Sequence, residues 1–318
     1  MADLIREVQN EELGLVLRKY TKRVFYKKLW NADTENARGH VTDLNGNPIA
    51  SPFNKFFNLD ENVKTSREAA IVELDERGYQ MYRDTKWNGH LSIMYKHKGL
   101  LLNHTSGTFD HPFNKDDRRI IEATGFNEIN VPESWTLMFE IIGNHDKHVM
   151  TDRHIAELGG ERAILLGVHS ADGRPIHRNE YMAHFIKHGV TELSTFGKRV
   201  RVADEMRDMG VTASEYLDFL LNQSFVEGSI LYNPVTQWRV KLKTKWFIKA
   251  RYLKQFSHER VQTLWLKHYD SGAAYDKIPE ELHAEYKDIC DGFEIYRNYY
   301  GNDPVGFANM TNFALVEQ

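Results

Sequence analysis

Between residues 35 and 248 apolar and polar positions alternate in short runs closed by Gly, Asn or Pro, the signature of β-hairpins. HLSIMYKHKGLLLNH alternates, turns at Lys98-Gly99 and continues as a second strand. ERAILLGVHSADGRPIH predicts another hairpin with Ala171-Asp172-Gly173 at its turn. SILYNPVTQWRVKLKTKWFI predicts a third, turning at Asn233-Pro234 and running as a strand to Phe247. RNEYMAHFIKHGV and ASEYLDFLLNQSF instead carry apolar residues at helical spacing. Residues 1–30 read as one or two helices ending in LRKYTKRVFYKKLW. After Phe247 the hairpin signals stop, and VQTLWLKHYD and EELHAEYKDICDGFEIYRNYY read as helices. The predicted class is α+β: a domain of antiparallel β-sheets with flanking helices over residues 1–248, and a small all-helical domain over 249–318.

Composition narrows this only a little. A chain of 318 residues has room for one large domain and a smaller one. The net charge of −4 does not advertise a nucleic-acid binder, although a basic groove can be offset by acidic surface elsewhere. Cys290 is the single cysteine, so neither an intramolecular disulfide nor a cysteine metal cluster is expected. The start, MADLIREVQNEELG, is acidic and amphipathic rather than signal-like, and no apolar run approaches membrane-spanning length. A cytoplasmic protein is the plain expectation.

The candidate chemistry centres on Lys86-Trp87-Asn88-Gly89. A K-x-x-G tetrapeptide alone means little; its neighbours in the chain give it meaning. Before it come ARG (37–39) and NKFFNLDEN (54–62); after it come NHTSGTF, LMFEIIG, FVEGSIL and RVKLKTKWF. An ordinary lysine amine is neutral in only about one molecule in 2,500 at pH 7. A nucleophilic lysine therefore needs cations, a metal or burial around it. Alternation in SWTLMFEII sets Glu140 among apolar residues, where a carboxylate is costly unless partnered. Glu227 precedes the third hairpin. In RVKLKTKWF, alternation puts Lys241, Lys243 and Lys245 on one strand face, and three like charges in a row ask for an anion over them. Arg38 and Lys55 are further basic positions ahead of Lys86. His145 and His148 are three apart, but a third ligand at convincing spacing is missing, so they do not read as a zinc site. No G-x-x-x-x-G-K-[ST] loop is present, so any ATP site is not of the P-loop kind.

This ordered set resembles the covalent nucleotidyltransferases, and most of all the RNA ligase 1 family typified by the T4-phage enzyme. ARG and KFFNL ahead of the lysine carry the closer likeness, and K-x-N-G with His104-Thr105-Ser106-Gly107 is similar to fungal-type tRNA ligases. The resemblance covers residues 35–250. It implies a ligase adenylylation domain and an ATP-dependent RNA ligase, acting in RNA repair. Lys86 would accept AMP, assisted by Lys241 and Lys243. Arg38, Lys55, Phe57, Gly89, Glu140, Lys147, Glu227, Lys241 and Lys243 would bind the nucleotide, with Glu227 holding Mg²⁺ or Mn²⁺. ATP would be the co-substrate. Single-stranded or nicked-loop RNA, tRNA included, would be the partner, with a separate kinase or phosphatase healing its ends. The compartment would be the cytoplasm, the host's if the chain is phage-encoded.

Some positions depart from the family pattern. Trp87-Asn88 replaces acidic residues, Ser106 stands where the T4-type pattern has lysine, Phe247 replaces a tyrosine, and Lys147 replaces an arginine. Arg18, Lys19, Lys22, Arg23, Lys27 and Lys28, interleaved with Tyr20, Phe25, Tyr26 and Trp30, form either a solvated basic helix face or a lip of the RNA groove. The enzymatic alternatives are a DNA ligase and a capping guanylyltransferase, both of which call for an OB-fold where this chain reads helical. The alternative of another class is a catalytically silent, nucleotide-sensing RNA-binding module on the same fold.

Overall fold

The computed structural model of the protein describes residues 4–146, 148–190 and 193–254, with isolated positions beyond. The chain divides into two compact units, Met1–Leu220 with Gly228–Leu242, and Leu221–Glu227 with Lys243–Gln318. The predicted helical domain therefore lies almost entirely outside the described residues, as does Lys147.

Three sheets build the first unit. One runs β1 (Ile5–Asn10), β2 (Leu15–Tyr20), β3 (Arg38–Asp43) and β4 (Pro48–Ala50). Further along the chain lie β5 (Phe57–Asn58), β6 (Tyr82–Lys86), β7 (His90–His97), β8 (Leu100–His104), β9 (Trp135–Ile142), β10 (Arg162–Ser170), β11 (Arg199–Arg201), β12 (Gly228–Tyr232) and β13 (Arg239–Lys243). The second sheet has the order β10-β9-β7-β8, and the third β11-β6-β12-β13-β5. The helices are α1 (Lys22–Lys27), α2 (Ala32–Asn36), α3 (Arg67–Arg77), α4 (Asn114–Ala123), α5 (Thr151–Leu158), α6 (Arg178–Lys187), α7 (Val202–Met209), α8 (Ala213–Leu221) and α9 (Lys245–Lys254). The predicted α+β class with antiparallel sheets holds. Among the described residues no helix is long and apolar enough to cross a membrane.

The second sheet forms because β7 and β9 carry apolar residues on both faces and are covered on both. Phe139, Leu137 and Ile141 pack with Ile120 and Ile121 of α4 and Phe185 of α6. Tyr95 joins Leu15, Leu17, Val41 and Ala50 of the first sheet. The Lys98-Gly99 turn appears as predicted, both residues having positive φ (51° and 79°), the backbone a two-residue hairpin needs.

Two expectations fail. The N-terminal segment is not helical apart from α1: residues 5–20 form the hairpin β1–β2, with Val8 opposite Leu17. Leu15 and Leu17 are fully buried at period two, and pairing of β2 with β3 outweighs the helical reading of a segment this short. The strand predicted to run to Phe247 stops at Lys243. Thr244 breaks it: its hydroxyl accepts the Phe247 N–H at 3.0 Å and donates to the Val226 carbonyl at 2.7 Å, capping α9. Lys245, expected on a strand face with Lys241, thus lies in α9, as does Phe247.

Burial pushes the pKa of His40, His104 and His169 down to about 4. Each stays neutral in the folded chain while its unfolded counterpart takes a proton below about pH 6.5. The unfolded state therefore gains protons that the folded state refuses, and stability falls as pH drops from 6.5 towards 4. For one such histidine the loss at pH 4.5 is roughly 2–3 kcal/mol. The melting temperature of His104→Gln is expected to fall less steeply than that of the wild type between pH 7 and 4.5; parallel profiles would refute the assignment.

Candidate active site

Lys86 ends β6, where it pairs with Gly228 at the start of β12. Trp87, Asn88 and Gly89 then carry the chain from the third sheet to the second. Asn88 is buried and its side-chain carbonyl accepts the Met150 N–H at 2.9 Å, while Trp87 meets the His154 ring edge-on at 5.1 Å. The two residues that replace acidic ones thus anchor the turn to the protein.

Gly89 lies hard against β9. A Cβ there would sit 2.1 Å from the Ile141 carbonyl oxygen and 3.2 Å from Glu140 Cγ. This approach lets the Gly89 N–H donate to Glu140 Oε1 at 3.0 Å. The strand carboxylate is thereby fastened to the turn that carries Lys86.

The other basic positions arrive from three directions. Arg38 opens β3 and donates to the Phe53 carbonyl at 3.3 Å. Burial lowers its pKa, while Tyr20 and the carboxylate of Glu140 act in the opposite direction. Lys55 pairs with Glu61 at 3.0 Å, and its amine lies 4.1 Å from the centre of the Phe57 ring. Burial lowers the Lys55 pKa against the pull of Glu61. The parallel pairing of β5 with β13 sets Phe57 beside Val240 and Asn58 beside Lys241. Lys241 Nζ sits 4.4 Å over the Phe56 ring. Burial, then the charges of Arg38, Lys55 and Lys86, push Lys241 well below the ordinary lysine range, with Glu61 opposing. An anion placed among these groups would relieve that repulsion and favour the charged form of Lys241.

Two further residues belong to this cluster, and sequence reasoning did not single them out for it. Glu61, inside NKFFNLDEN, holds Lys55 and accepts the Asn58 N–H at 2.8 Å. Lys19 lies opposite Arg38 across β2 and β3 and donates to Ser106 Oγ at 2.9 Å. Burial, with the charges of Arg38 and Arg6, pushes the Lys19 amine down to about 8. An amine thus reaches Ser106, where the T4-type pattern places a lysine. Reading LVLRKY as a strand paired with the ARG segment was the signal that would have shown it.

The first unit therefore brings together Arg38, Lys55, Phe57, Lys86, Gly89, Glu140 and Lys241. Glu227 and Lys243 belong to the second unit. There Glu227 is buried and its backbone carbonyl accepts the Thr244 N–H at 3.0 Å, and Lys243 Nζ lies 5.7 Å from the centre of the Phe247 ring. In the first unit a cavity of about 330 Å³ is lined by Lys55, Phe56, Phe57 and Arg239 among others. Lys86 and Glu140 do not line it.

No protein-family model matches the sequence, and no curated protein does. Solved structures do match. An archaeal ATP-dependent RNA ligase superposes with a TM-score of 0.52 at 15% identity, covering 99% of this chain and 74% of that one. A putative ATP-dependent DNA ligase from Aquifex aeolicus gives a TM-score of 0.49 at 11% identity, covering 99% and 73%. An RNA ligase from Naegleria gruberi gives 0.39 at 14% identity, covering 55% of this chain and 52% of that one. The first of these likenesses shows the fold alone: this chain shares the fold of that archaeal enzyme.

Proposed function

We propose that the protein is an ATP-dependent RNA ligase that joins RNA 5′-phosphate and 3′-hydroxyl ends through a lysyl-AMP intermediate. The observation that carries the reading is that Arg38, Lys55 and Lys86 all press their charge on the buried amine of Lys241. Beside that cluster, Glu140 is bonded to the Gly89 turn. Cations gathered together with a lysine on a fixed turn are what nucleotidyl transfer needs.

In the first step Lys86 Nζ attacks the α-phosphorus of ATP. A P–N bond forms, the bond from that phosphorus to the β-phosphate oxygen breaks, and pyrophosphate leaves. An RNA 5′-phosphate oxygen then attacks the same phosphorus, the P–N bond breaks, and the lysine amine is regained. Finally a 3′-hydroxyl attacks the activated 5′-phosphorus, releasing AMP and a proton. Lys55, Lys241 and Arg38 take up the triphosphate charge, with Lys243 assigned beside them by the resemblance. Phe57 gives the nucleotide or RNA end an aromatic surface. Glu140 takes the ribose and Gly89 holds its carboxylate in place.

Carboxylate oxygens are hard donors of the kind that suit Mg²⁺ or Mn²⁺ beside phosphate. Glu227, buried and directly before the residue that pairs with Lys86, is the residue we assign to the cation. When bound, the metal supplies positive charge to the phosphates.

The test is incubation with ATP, Mg²⁺ and a 5′-phosphorylated single-stranded RNA, read by denaturing gel and intact-protein mass. Circular RNA and an AMP adduct on the protein are expected. A nicked DNA duplex run in parallel separates a DNA ligase. RNA binding with neither adduct nor joined product would leave the silent binding module.

A further inference from the structure

Next to the Lys86 turn, outside the residues assigned to nucleotide chemistry, three elements bring histidines and aspartates together. His90 opens β7, Asp117 lies in the first turn of α4, and His145, Asp146 and His148 follow β9. His90 Nε2 is 2.9 Å from Asp117 Oδ1, and His145 Nε2 is 3.1 Å from the same oxygen. The three atoms lie within 4.8 Å of one another. On its other side His90 Nδ1 is 3.0 Å from Asp146 Oδ2, which also accepts from His148 Nε2 at 2.8 Å. Phe113 covers the group, with ring centres 5.4 Å from His90 and 5.0 Å from His145.

Asp117 is the telling member. Its side chain is 0% exposed, and among the described residues its Oδ2 has no hydrogen-bond partner. A carboxylate buried this deeply is costly unless a cation lies against it. Hydrogen bonding alone asks two imidazoles to donate to one oxygen while the other stays unsatisfied.

We propose that His90, Asp117 and His145 form a site for one divalent d-block cation, zinc before the others, with the carboxylate of Asp146 lying behind His90. Two imidazoles and one carboxylate suit zinc, and a fourth, tetrahedral position is left for water. Zinc bonds of ordinary length separate neighbouring ligand atoms by roughly 3.3 Å, so the pairs at 2.9 and 3.1 Å need only a small outward shift. A carboxylate behind a ligating histidine is the recurrent outer partner. Asp146 Oδ2 lies 3.0 Å from His90 Nδ1, which makes no hydrogen bond among the described residues as the ring stands. A small turn of the ring towards the metal would let Nδ1–H donate there. The other grouping, His90 with Asp146 and His148, is more exposed, with side chains up to 35% accessible, and leaves Asp117 uncompensated. Spacing along the chain hides the site, because Asp117 and His145 stand 28 positions apart and His90 lies on another strand.

The site does not rest on the ligase reading, and its test does not use activity. The full-length protein, stripped with EDTA and dialysed, is titrated with Co²⁺ in buffer containing millimolar Mg²⁺. One equivalent is expected to give the visible bands of four-coordinate cobalt, bleached by one equivalent of Zn²⁺. Zn²⁺ should also raise the melting temperature of the wild type but not of His145→Gln. His145→Gln and Asp117→Asn should each bind at least tenfold more weakly. If Asp117→Asn does not fold, the wild-type titration and His145→Gln decide the matter alone. Folded wild type that binds no equivalent of cobalt or zinc overturns the proposal, as does undiminished binding in both His90→Gln and His145→Gln.

Discussion

Lys86→Ala is expected to form no AMP adduct from ATP and to circularise no 5′-phosphorylated RNA. The methyl group offers no lone pair to the α-phosphorus, and water cannot take its place in a covalent intermediate. Removing the nucleophile in covalent catalysis costs on the order of 10⁶ in rate, so the product should fall below detection. The same variant should still seal RNA supplied with a preformed 5′-adenylyl group, within roughly tenfold of the wild type. In that step the amine is the departing group's former owner and takes no part. Lys86 is partly exposed at the end of β6, and its backbone pairing with Gly228 does not need the side chain, so the variant should fold. Intact-protein mass and a gel with both RNA substrates read the two halves separately. An adduct surviving in Lys86→Ala would move the nucleophile to another residue, and loss of both activities together would point to a collapsed site.

Gly89→Ala should be the most damaging single methyl in the molecule's chemistry. The added carbon would lie 2.1 Å from the Ile141 carbonyl oxygen and 2.9 Å from the Ile141 carbonyl carbon, both backbone atoms of a buried strand that cannot swing aside. Either β7 moves away from β9 or the turn from Lys86 refolds. Both outcomes lengthen the 3.0 Å bond from Gly89 N–H to Glu140. Overpacking at a well-packed site costs up to about 3 kcal/mol. For a chain of 318 residues that lowers the melting temperature by roughly 4–5 °C. Adduct formation should fall further than stability alone explains, because Lys86 and Glu140 lose their common anchor. A variant that melts with the wild type and charges with AMP at the wild-type rate would show that the glycine has no such role.

The sequence made much of this legible, for identifiable reasons. Hairpins with local closure could be read directly, as at Lys98-Gly99, because turn and alternation lie within one short stretch. The order of the motifs pointed to residues that the first unit does gather, namely Arg38, Lys55, Phe57, Lys86, Gly89, Glu140 and Lys241. Segments whose state is decided by a distant partner were misread. Residues 5–20 look amphipathic until β3 is available to pair with β2. The end of β13 looks like continuing strand until Thr244 is seen to cap a helix through the Phe247 N–H. Contacts between remote positions left no local trace, as with Lys19 at Ser106 or His90 at Asp117.

The two-residue parallel pairing of β5 with β13 also orders events in time. Phe57 meets Val240, and the Leu59 N–H donates to the Lys241 carbonyl at 2.9 Å, across a gap of roughly 180 residues. Closing so long a loop is slow and comes after local hairpins have formed. During synthesis Lys86 emerges about 150 residues before β13, which at about 5–20 residues per second is a delay of roughly 8 to 30 s. For that interval the nascent chain carries Lys86 without Lys241. β13 is also the last strand of its sheet along the chain, so a chain cut short before it holds Lys86 without Lys241.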